Sequence, residues 1–318
     1  MLDAMARAGG RDFADMTPQE ARRAFAQGIA YFGGEAQPVG EIREIGIPCR
    51  SGRRVARLYR PANGDAFRGA VLWLHGGGFV FGDLDTYDGL CRALANACDV
   101  PILSFDYRLA PEAPFPAAFE DCADAWRWFE CHAHDFGADR RRLAIGGDSA
   151  GATLAIATSL ECPDAMRPGA MLLAYPGTSP GCRYPSHDRF GAGYLLTNRT
   201  IDWCLGLLAP HGAARQDPRL VPLAADLAQA PATVLLLAGC DPLIDEGLAF
   251  ASRLVVSGVS VLVQEHAGMP HGFLSFGGSI PDRDHVLGQL GEAWRGLLTD
   301  GLTATADDGS RTHEEVAR

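Results

Sequence analysis

The chain reads as an α/β protein with a mostly parallel central sheet flanked by helices, and two observations predict that architecture. Short, continuous apolar runs recur along the sequence with segments of helical period between them, the alternation that buried parallel strands and crossover helices produce. Several of these runs end abruptly in glycine, histidine, serine or aspartate, the residue types that collect beyond the carboxyl ends of strands in open α/β sheets. With 318 residues and 47% hydrophobic content, the chain can bury the core of one large domain with insertions.

The first local signal is Thr17-Pro18-Gln19-Glu20, a capping box with proline at the first helical position, which predicts a helix to about Tyr31. Glu41 to Ile47 and Arg54 to Tyr59 alternate apolar and polar residues and predict antiparallel strands at the sheet edge. Val71-Leu72-Trp73-Leu74 then predicts a strand buried on both faces, and it ends in His75-Gly76-Gly77-Gly78-Phe79. Three consecutive glycines are costly to order, and a simple turn needs fewer. Such a run lets backbone N–H groups approach an anion with no side chain between them, and His75 reads as support for the turn. Ala118, Cys122, Ala125, Trp126 and Phe129 then fall at helical spacing and read as core.

Leu143-Ala144-Ile145-Gly146 predicts the next buried strand and Ala152 to Leu160 the next helix, so Gly147-Asp148-Ser149-Ala150-Gly151 must reverse the chain sharply. Glycine at 147 and 151 removes the Cβ atoms that would collide across that turn, and the serine hydroxyl projects from it. Ser149 is therefore a candidate nucleophile, and the helix that follows aims free N–H groups and a positive dipole end at any negative charge formed there.

Met171 to Tyr175 predicts a further strand, after which about sixty residues break the simple alternation. A loop rich in proline, glycine and charge spans Gly177 to Gly193, and an apolar helix is predicted from about Thr197 to Leu208. Thr233 to Ala238 predicts the next strand, ending in Gly239-Cys240-Asp241-Pro242-Leu243. Val259 to Gln264 predicts another, followed by the loop Gly268-Met269-Pro270-His271-Gly272-Phe273. Gly301 to Arg318 is polar and weakly periodic and predicts a mobile tail.

A nucleophilic serine needs a base, and the base needs an orienting carboxylate. His271 and Asp241 each lie just past a strand end, which makes them the candidates. Asp245 and Glu246 fall inside the following helix and read as its solvated first turn. His266 is a competing base at the end of a strand. His132 and His134 flank a position near Cys131 and loosely suggest metal, but no second half follows at ligand spacing, so solvated or packed side chains are the reading.

Together, His75-Gly76-Gly77-Gly78 and Gly147-Asp148-Ser149-Ala150-Gly151 resemble the motifs of the hormone-sensitive-lipase-like group of α/β-hydrolases. Gly82 to Asp88, Asp106 to Glu112, Phe115-Pro116-Ala117 and Asp217-Pro218-Arg219 agree with it, and the resemblance covers about Glu41 to about Leu298. One departure is Ala152, where the group often has a second glycine after the pentapeptide. The order Ser149, Asp241, His271 is also that of the hydrolase arrangement.

The resemblance implies that residues 41–176 and 216–300 form an α/β-hydrolase catalytic domain, and that N-terminal helices within 1–40 and an insertion at 177–215 form a helical cap over it. Ser149, Asp241 and His271 would be the catalytic triad. The N–H groups of Gly77, Gly78 and Ala150 would form the oxyanion hole, supported by His75, Gly76, Gly147, Asp148 and Gly151. No metal or organic cofactor is implied. The implied activity is serine carboxylesterase on short- to medium-chain esters, with an amidase or formamidase using the same triad, or a non-catalytic ligand receptor on the same fold, as alternatives. Phe79, Phe81, Leu84, Tyr194, Leu195, Leu196, Trp203, Leu207 and Leu208 either line an acyl pocket or only pack the cap. The group's members often pair, so a homodimer is admitted.

Charge and cysteine content bound the setting. A formal net charge of −11 makes nucleic acid and anionic membrane surfaces poor partners, and Arg140-Arg141-Arg142 reads as a solvated approach to a strand. The nine cysteines are odd in number and scattered without a C-x-x-C pair, as reduced, buried residues would be. Met1 to Arg11 lacks the apolar stretch of a signal peptide, and no segment approaches the roughly 20 apolar residues of a membrane span, so a cytoplasmic enzyme is expected.

Overall fold

A computed structural model describes residues 11–63 and 68–308. Its strands are β1 (Glu41–Cys49), β2 (Gly52–Arg60), β3 (Ala70–Leu74), β4 (Ile102–Phe105), β5 (Leu143–Asp148), β6 (Ala170–Ala174), β7 (Ala232–Cys240) and β8 (Val261–Pro270). They form one sheet in the order β1-β2-β4-β3-β5-β6-β7-β8. β1 and β2 pair antiparallel at one edge and β2 pairs antiparallel with β4, while every other pairing is parallel. The strand order runs outward in both directions from β3, so its carboxyl end and that of β5 form a topological switch point, where open α/β sheets leave a crevice.

β3, β4, β5 and β6 are buried along their whole lengths, which is why they read as unbroken apolar runs. Alternate residues still serve opposite faces. Leu72 and Leu74 join one apolar cluster with Phe129 and Trp126, and Val71 and Trp73 join the other with Leu290 and Trp294. Helices α3 (Ala117–Cys131), α4 (Ala150–Glu161) and α7 (Ile244–Val256) cover the first face; α2 (Asp88–Cys98) and α8 (Arg283–Asp308) cover the second.

Two boundaries differ from the sequence reading by more than two residues. β8 continues past Gln264 to Pro270, because the ladder with β7 absorbs an irregularity between Ala238 and Cys240 and then pairs Cys240 with Pro270. His271 thus follows the strand directly. Helix α8 passes through Gly301, where a tail was predicted to begin, and ends at Asp308. The helix is already nucleated and anchored by Leu287, Leu290 and Trp294, so extension adds one bond per residue fixed. Positions 309–318 of the predicted tail lie outside the described residues.

Helix α1 (Pro18–Phe32) starts with the predicted capping box: the Thr17 hydroxyl accepts the Glu20 N–H, and the Glu20 carboxylate accepts the Thr17 N–H at 2.8 Å. Helices α5 (Pro185–Phe190) and α6 (Asn198–Leu208) belong to the segment that breaks the alternation. The N-terminal segment and α6 are bonded to each other. Asp12 accepts from Thr197 Oγ1 at 2.6 Å and Thr200 Oγ1 at 3.0 Å, and Arg199 pairs with Asp15. Arg22 of α1 reaches the sheet side, donating to the carbonyls of Val80 and Ala110 and pairing with Glu112. Among the described residues, no helix is long and apolar enough to cross a membrane.

Candidate active site

The turn between β5 and α4 places Ser149 at φ 54° and ψ −122°, a strained conformation for a residue with a side chain. The surroundings enforce it. A Cβ at Gly151 would overlap the Leu74 carbonyl, so only glycine lets α4 start this close to β3. Ser149 caps α4 without a side-chain bond, which leaves its hydroxyl for other partners.

That hydroxyl lies 2.8 Å from His271 Nε2, and His271 Nδ1 lies 2.6 Å from Asp241 Oδ2. Asp241 is fully buried, and its Oδ1 accepts the Leu243 N–H at 2.9 Å, so both of its oxygens are occupied and its plane is fixed. A carboxylate facing Nδ1 holds the ring proton there and leaves Nε2 as the acceptor for the serine proton. Three strand ends, those of β5, β7 and β8, therefore bring Ser149, Asp241 and His271 into one line of hydrogen bonds.

The glycine run lies beside this line. Gly77 adopts φ +110° and Gly78 φ +59°, and the N–H groups of Gly77, Gly78 and Ala150 bond no acceptor among the described residues. The loop itself is firmly held. Gly76 N–H donates to Asp148 Oδ1 at 3.1 Å and to Tyr87 Oη at 2.9 Å, and Tyr87 in turn donates to Asp148 Oδ2 at 2.9 Å. Burial pushes the Asp148 carboxyl up to about 6, against the lowering effect of its Tyr87 bond and of His271. His75 is fully buried and stacks on Tyr107 at 4.2 Å, while Tyr107 donates to the His75 carbonyl at 2.6 Å. Burial depresses His75 to about 4, so it stays neutral at physiological pH.

These groups open onto a cavity of about 260 Å³ that Ser149, His271, Gly77, Gly78 and Ala150 line. Phe25, Ile29 and Phe32 of α1 form one apolar wall, and Ile201, Cys204 and Leu205 of α6 form another. Of the predicted pocket residues, Phe79, Phe81, Leu195 and Leu196 line the cavity. Leu84, Tyr194, Trp203, Leu207 and Leu208 do not, which leaves packing, the other of the two readings, for them. The face of α6 that meets the cavity runs through 201, 204 and 205, so 203 and 207 point elsewhere, while Leu208 shares that face but stands one turn further on, at the end of the helix. Leu208 is buried in the core, and Trp203 and Leu207 pack against it. Leu84 is buried, and Tyr194 stands edge-on to Phe190.

The alternatives separate in space. His266 sits in a different groove with His285, its ring 5.7 Å from that of Phe273. His132 stacks on Trp128 and bonds its carbonyl, and His134 pairs with Asp135. The reading of Asp245 and Glu246 as a solvated first turn is overturned. Asp245 accepts the Ser186 N–H at 2.8 Å, and Glu246 is buried at 3% exposure and lines the cavity. The first turn of α7 faces the start of the insertion rather than solvent: Ser186 Oγ donates to the Pro242 carbonyl at 2.6 Å, and Ser179 Oγ to Glu246 at 2.6 Å. Tyr87, Glu246 and the wall residues Phe25, Ile29, Phe32, Ile201, Cys204 and Leu205 are thus site residues that sequence reasoning missed. Tyr87 sat within the recognised segment after the glycines, but nothing in its spacing announced its bond to Asp148.

Comparison with known proteins agrees with this geometry. Residues 71–275 match the family described as alpha/beta hydrolase fold. An ethyl acetate hydrolase of Pseudomonas putida is 41% identical over 282 residues, covering 86% of this chain and 88% of that protein. A carboxylic ester hydrolase of Mycobacterium tuberculosis, LipN, is 40% identical over 79% of this chain and 70% of its own length. Among solved structures, an ester-hydrolase from the metagenome of Lake Arreo superposes with a TM-score of 0.87 at 33% identity, covering 93% of this chain and 95% of that one. An esterase of Pyrobaculum calidifontis gives 0.84 at 31% identity, covering 91% and 95%. The fold, the matched span and these relatives establish that the chain belongs to the α/β-hydrolase family, in its hormone-sensitive-lipase-like group.

Proposed function

We propose that the chain is a serine carboxylesterase that hydrolyses short- to medium-chain esters through an acyl-enzyme. The observation that carries this reading is the unbroken line Ser149 Oγ, His271, Asp241, with bond lengths of 2.8 and 2.6 Å, beside three N–H groups left without acceptors. Ser149 attacks the ester carbonyl while His271 Nε2 takes its proton, and Asp241 stabilises the imidazolium that forms. The carbonyl oxygen, now an oxyanion, receives the N–H groups of Gly77, Gly78 and Ala150. Collapse expels the alcohol, protonated by His271. Water, activated by the same ring, then attacks the acyl carbonyl, and a second tetrahedral intermediate releases the acid and restores Ser149.

Support for a cap comes from the walls of the cavity. Residues of α1 and α6 close it over Ser149, so the N-terminal helix and the insertion at 177–215 act together as the substrate-selecting cap on a catalytic domain of 41–176 and 216–300. A cavity of about 260 Å³ suits small esters better than long-chain fats. The named relatives act on esters, as their names state. All nine cysteines stand as free thiols, which supports a reducing, cytoplasmic setting. Leu262 and Val263 on edge strand β8, and Val255 and Val256 at the end of α7, are exposed apolar residues, which supports pairing into a homodimer.

The deciding experiment is a p-nitrophenyl ester series of increasing acyl length on the wild type and Ser149→Ala. Rates should peak at short or medium acyl chains and vanish in the variant. Hydrolysis that survives Ser149→Ala would sink the mechanism, and a maximum at long chains would sink the substrate class.

A further inference from the structure

Two carboxyl groups stand on the wall of the cavity, and the hydrolytic chemistry uses neither directly. Asp148 has both oxygens occupied, one by Gly76 and one by Tyr87. Glu246 does not. Its Oε2 accepts the Ser179 N–H at 2.7 Å, the Ser179 hydroxyl at 2.6 Å and the Thr178 N–H at 3.3 Å, while no described residue donates to Oε1. Thr178 Oγ1 also donates to the Glu246 backbone carbonyl at 3.1 Å. The carboxyl plane is thereby fixed, with one oxygen committed to the 178–179 turn and the other left over. Leu243 and Gly177 flank it on the same wall, and Gly177 is tied through its carbonyl to Thr153, one turn beyond Ser149 in α4.

A buried carboxyl with an unused acceptor is unfavourable unless a donor arrives from elsewhere. Burial, with Asp241 nearby, raises its affinity for a proton, yet three donors oppose that shift. The cavity walls of α1 and α6 are apolar apart from the Cys204 thiol and Thr200, whose hydroxyl is already committed to Asp12. Oε1 is thus open to the cavity, where water can serve it, and a molecule that fills the cavity has to supply the donor itself.

Resting on the esterase reading above, we propose that Glu246 is a specificity-determining residue. Its Oε1 accepts a hydrogen bond from a hydroxyl or ammonium group that the substrate bears away from its scissile ester, and it disfavours substrates bearing a carboxylate there. The preferred class is then small hydroxy- or amino-substituted esters rather than simple alkyl ones. Clamping of the 178–179 turn is the second task of the same side chain, and the two separate by experiment.

The test measures kcat/KM at pH 8, by titration of released acid, for two isosteric pairs and one anionic ester. The pairs are ethyl 3-hydroxybutanoate with ethyl 3-methylbutanoate, and 2-hydroxyethyl butanoate with propyl butanoate; the anionic ester is monoethyl succinate. Wild type should favour the hydroxyl member of at least one pair by about tenfold or more, the size expected for a bond to a charged acceptor. Glu246→Leu should abolish that ratio. Glu246→Gln keeps an acceptor for Ser179 and turns its NH₂ group into the cavity, so it should raise the rate on monoethyl succinate relative to propyl butanoate by about tenfold or more. Should Glu246→Leu fail to fold, the succinate ratio in Glu246→Gln decides alone. Ratios unchanged from wild type, including a uniform fall across all five esters, would overturn the assignment and leave Glu246 a clamp, with the esterase reading intact. Failure of wild type to hydrolyse any of the five would remove the esterase reading and this inference together.

Discussion

Tyr87 Oη lies 2.9 Å from Asp148 Oδ2 and accepts the Gly76 N–H at the same distance, so one phenol joins the residue before Ser149 to the residue before the candidate oxyanion donors. The nucleophile turn and the glycine loop are consequently built as one piece. Loosening the phenol should misplace the N–H groups without emptying the cavity. Tyr87→Phe should lower kcat about tenfold with little change in KM, and Asp148→Asn should do so at least as strongly, since stabilisation of the oxyanion falls steeply with misplaced donors. Steady-state kinetics on a p-nitrophenyl ester would check this, and a change confined to KM would count against it.

Asp148 also makes stability depend on pH in an unusual direction. Burial raises its carboxyl from 3.8 to about 6, so the native chain holds this proton more tightly than the unfolded one. Its contribution is fully present below the unfolded pKa of 3.8 and is lost as pH rises towards about 6. A shift of about two pH units corresponds to roughly 3 kcal/mol. Asp148→Asn should therefore gain stability relative to wild type by up to that amount between pH 4 and pH 7. Urea unfolding of both proteins at several pH values measures the difference, and a difference that stays flat or falls with pH would contradict the assignment.

Asp241 is expected to act only through His271. Asp241→Asn should keep the fold and the cavity yet lower kcat by about 10⁴-fold, because an amide no longer holds the ring proton on Nδ1. Circular dichroism should stay native while turnover collapses. Activity within tenfold of wild type would exclude this aspartate from the triad.

The orientation of α6 makes a prediction about acyl length. Leu205 lines the cavity and Trp203 does not. Leu205→Trp should move the optimum of a p-nitrophenyl ester series to shorter chains, whereas Trp203→Leu should leave the optimum where it is and act only on stability, by about 2 kcal/mol. The opposite pattern would mean that the helix is rotated from the position described.

Gly78 tests how closely the insertion presses on the glycine loop. A Cβ there would overlap Cys204 Sγ, and its φ of +59° is itself unfavourable for a side chain by about 1 kcal/mol. Gly78→Ala should lower kcat, and Cys204→Gly in the same chain should restore part of the loss by removing the overlap. No restoration in the double variant would show that backbone strain alone accounts for the effect.

The strands and the hydrogen-bonded line of Ser149, His271 and Asp241 were legible because their signals are local. Leu143 to Gly146 is apolar without a break because β5 is covered on both faces, and Asp241 and His271 stand out because they follow strand ends. Glu246 was misread because a charged residue in the first turn of a helix ordinarily faces water; its burial depends on Thr178 and Ser179, which lie far away in sequence. Trp203, Leu207 and Leu208 were left between pocket and packing for a related reason. Apolar spacing identifies a helix but not which side of it meets a cavity and which meets the core, and α6 buries residues on both. The end of β8 was missed because a ladder irregularity is set by pairing with β7, which no short window of sequence contains.

The stretch from Asp241 to Glu246 orients His271 at one end and receives Ser186, Thr178 and Ser179 at the other. Anyone replacing residues 177–215 with a foreign segment would have to carry those three partners across with it. A chimaera that replaced the insertion but dropped them would free the backbone around Asp241, so the loss would surface as weakened proton transfer, far from the residues that had been exchanged.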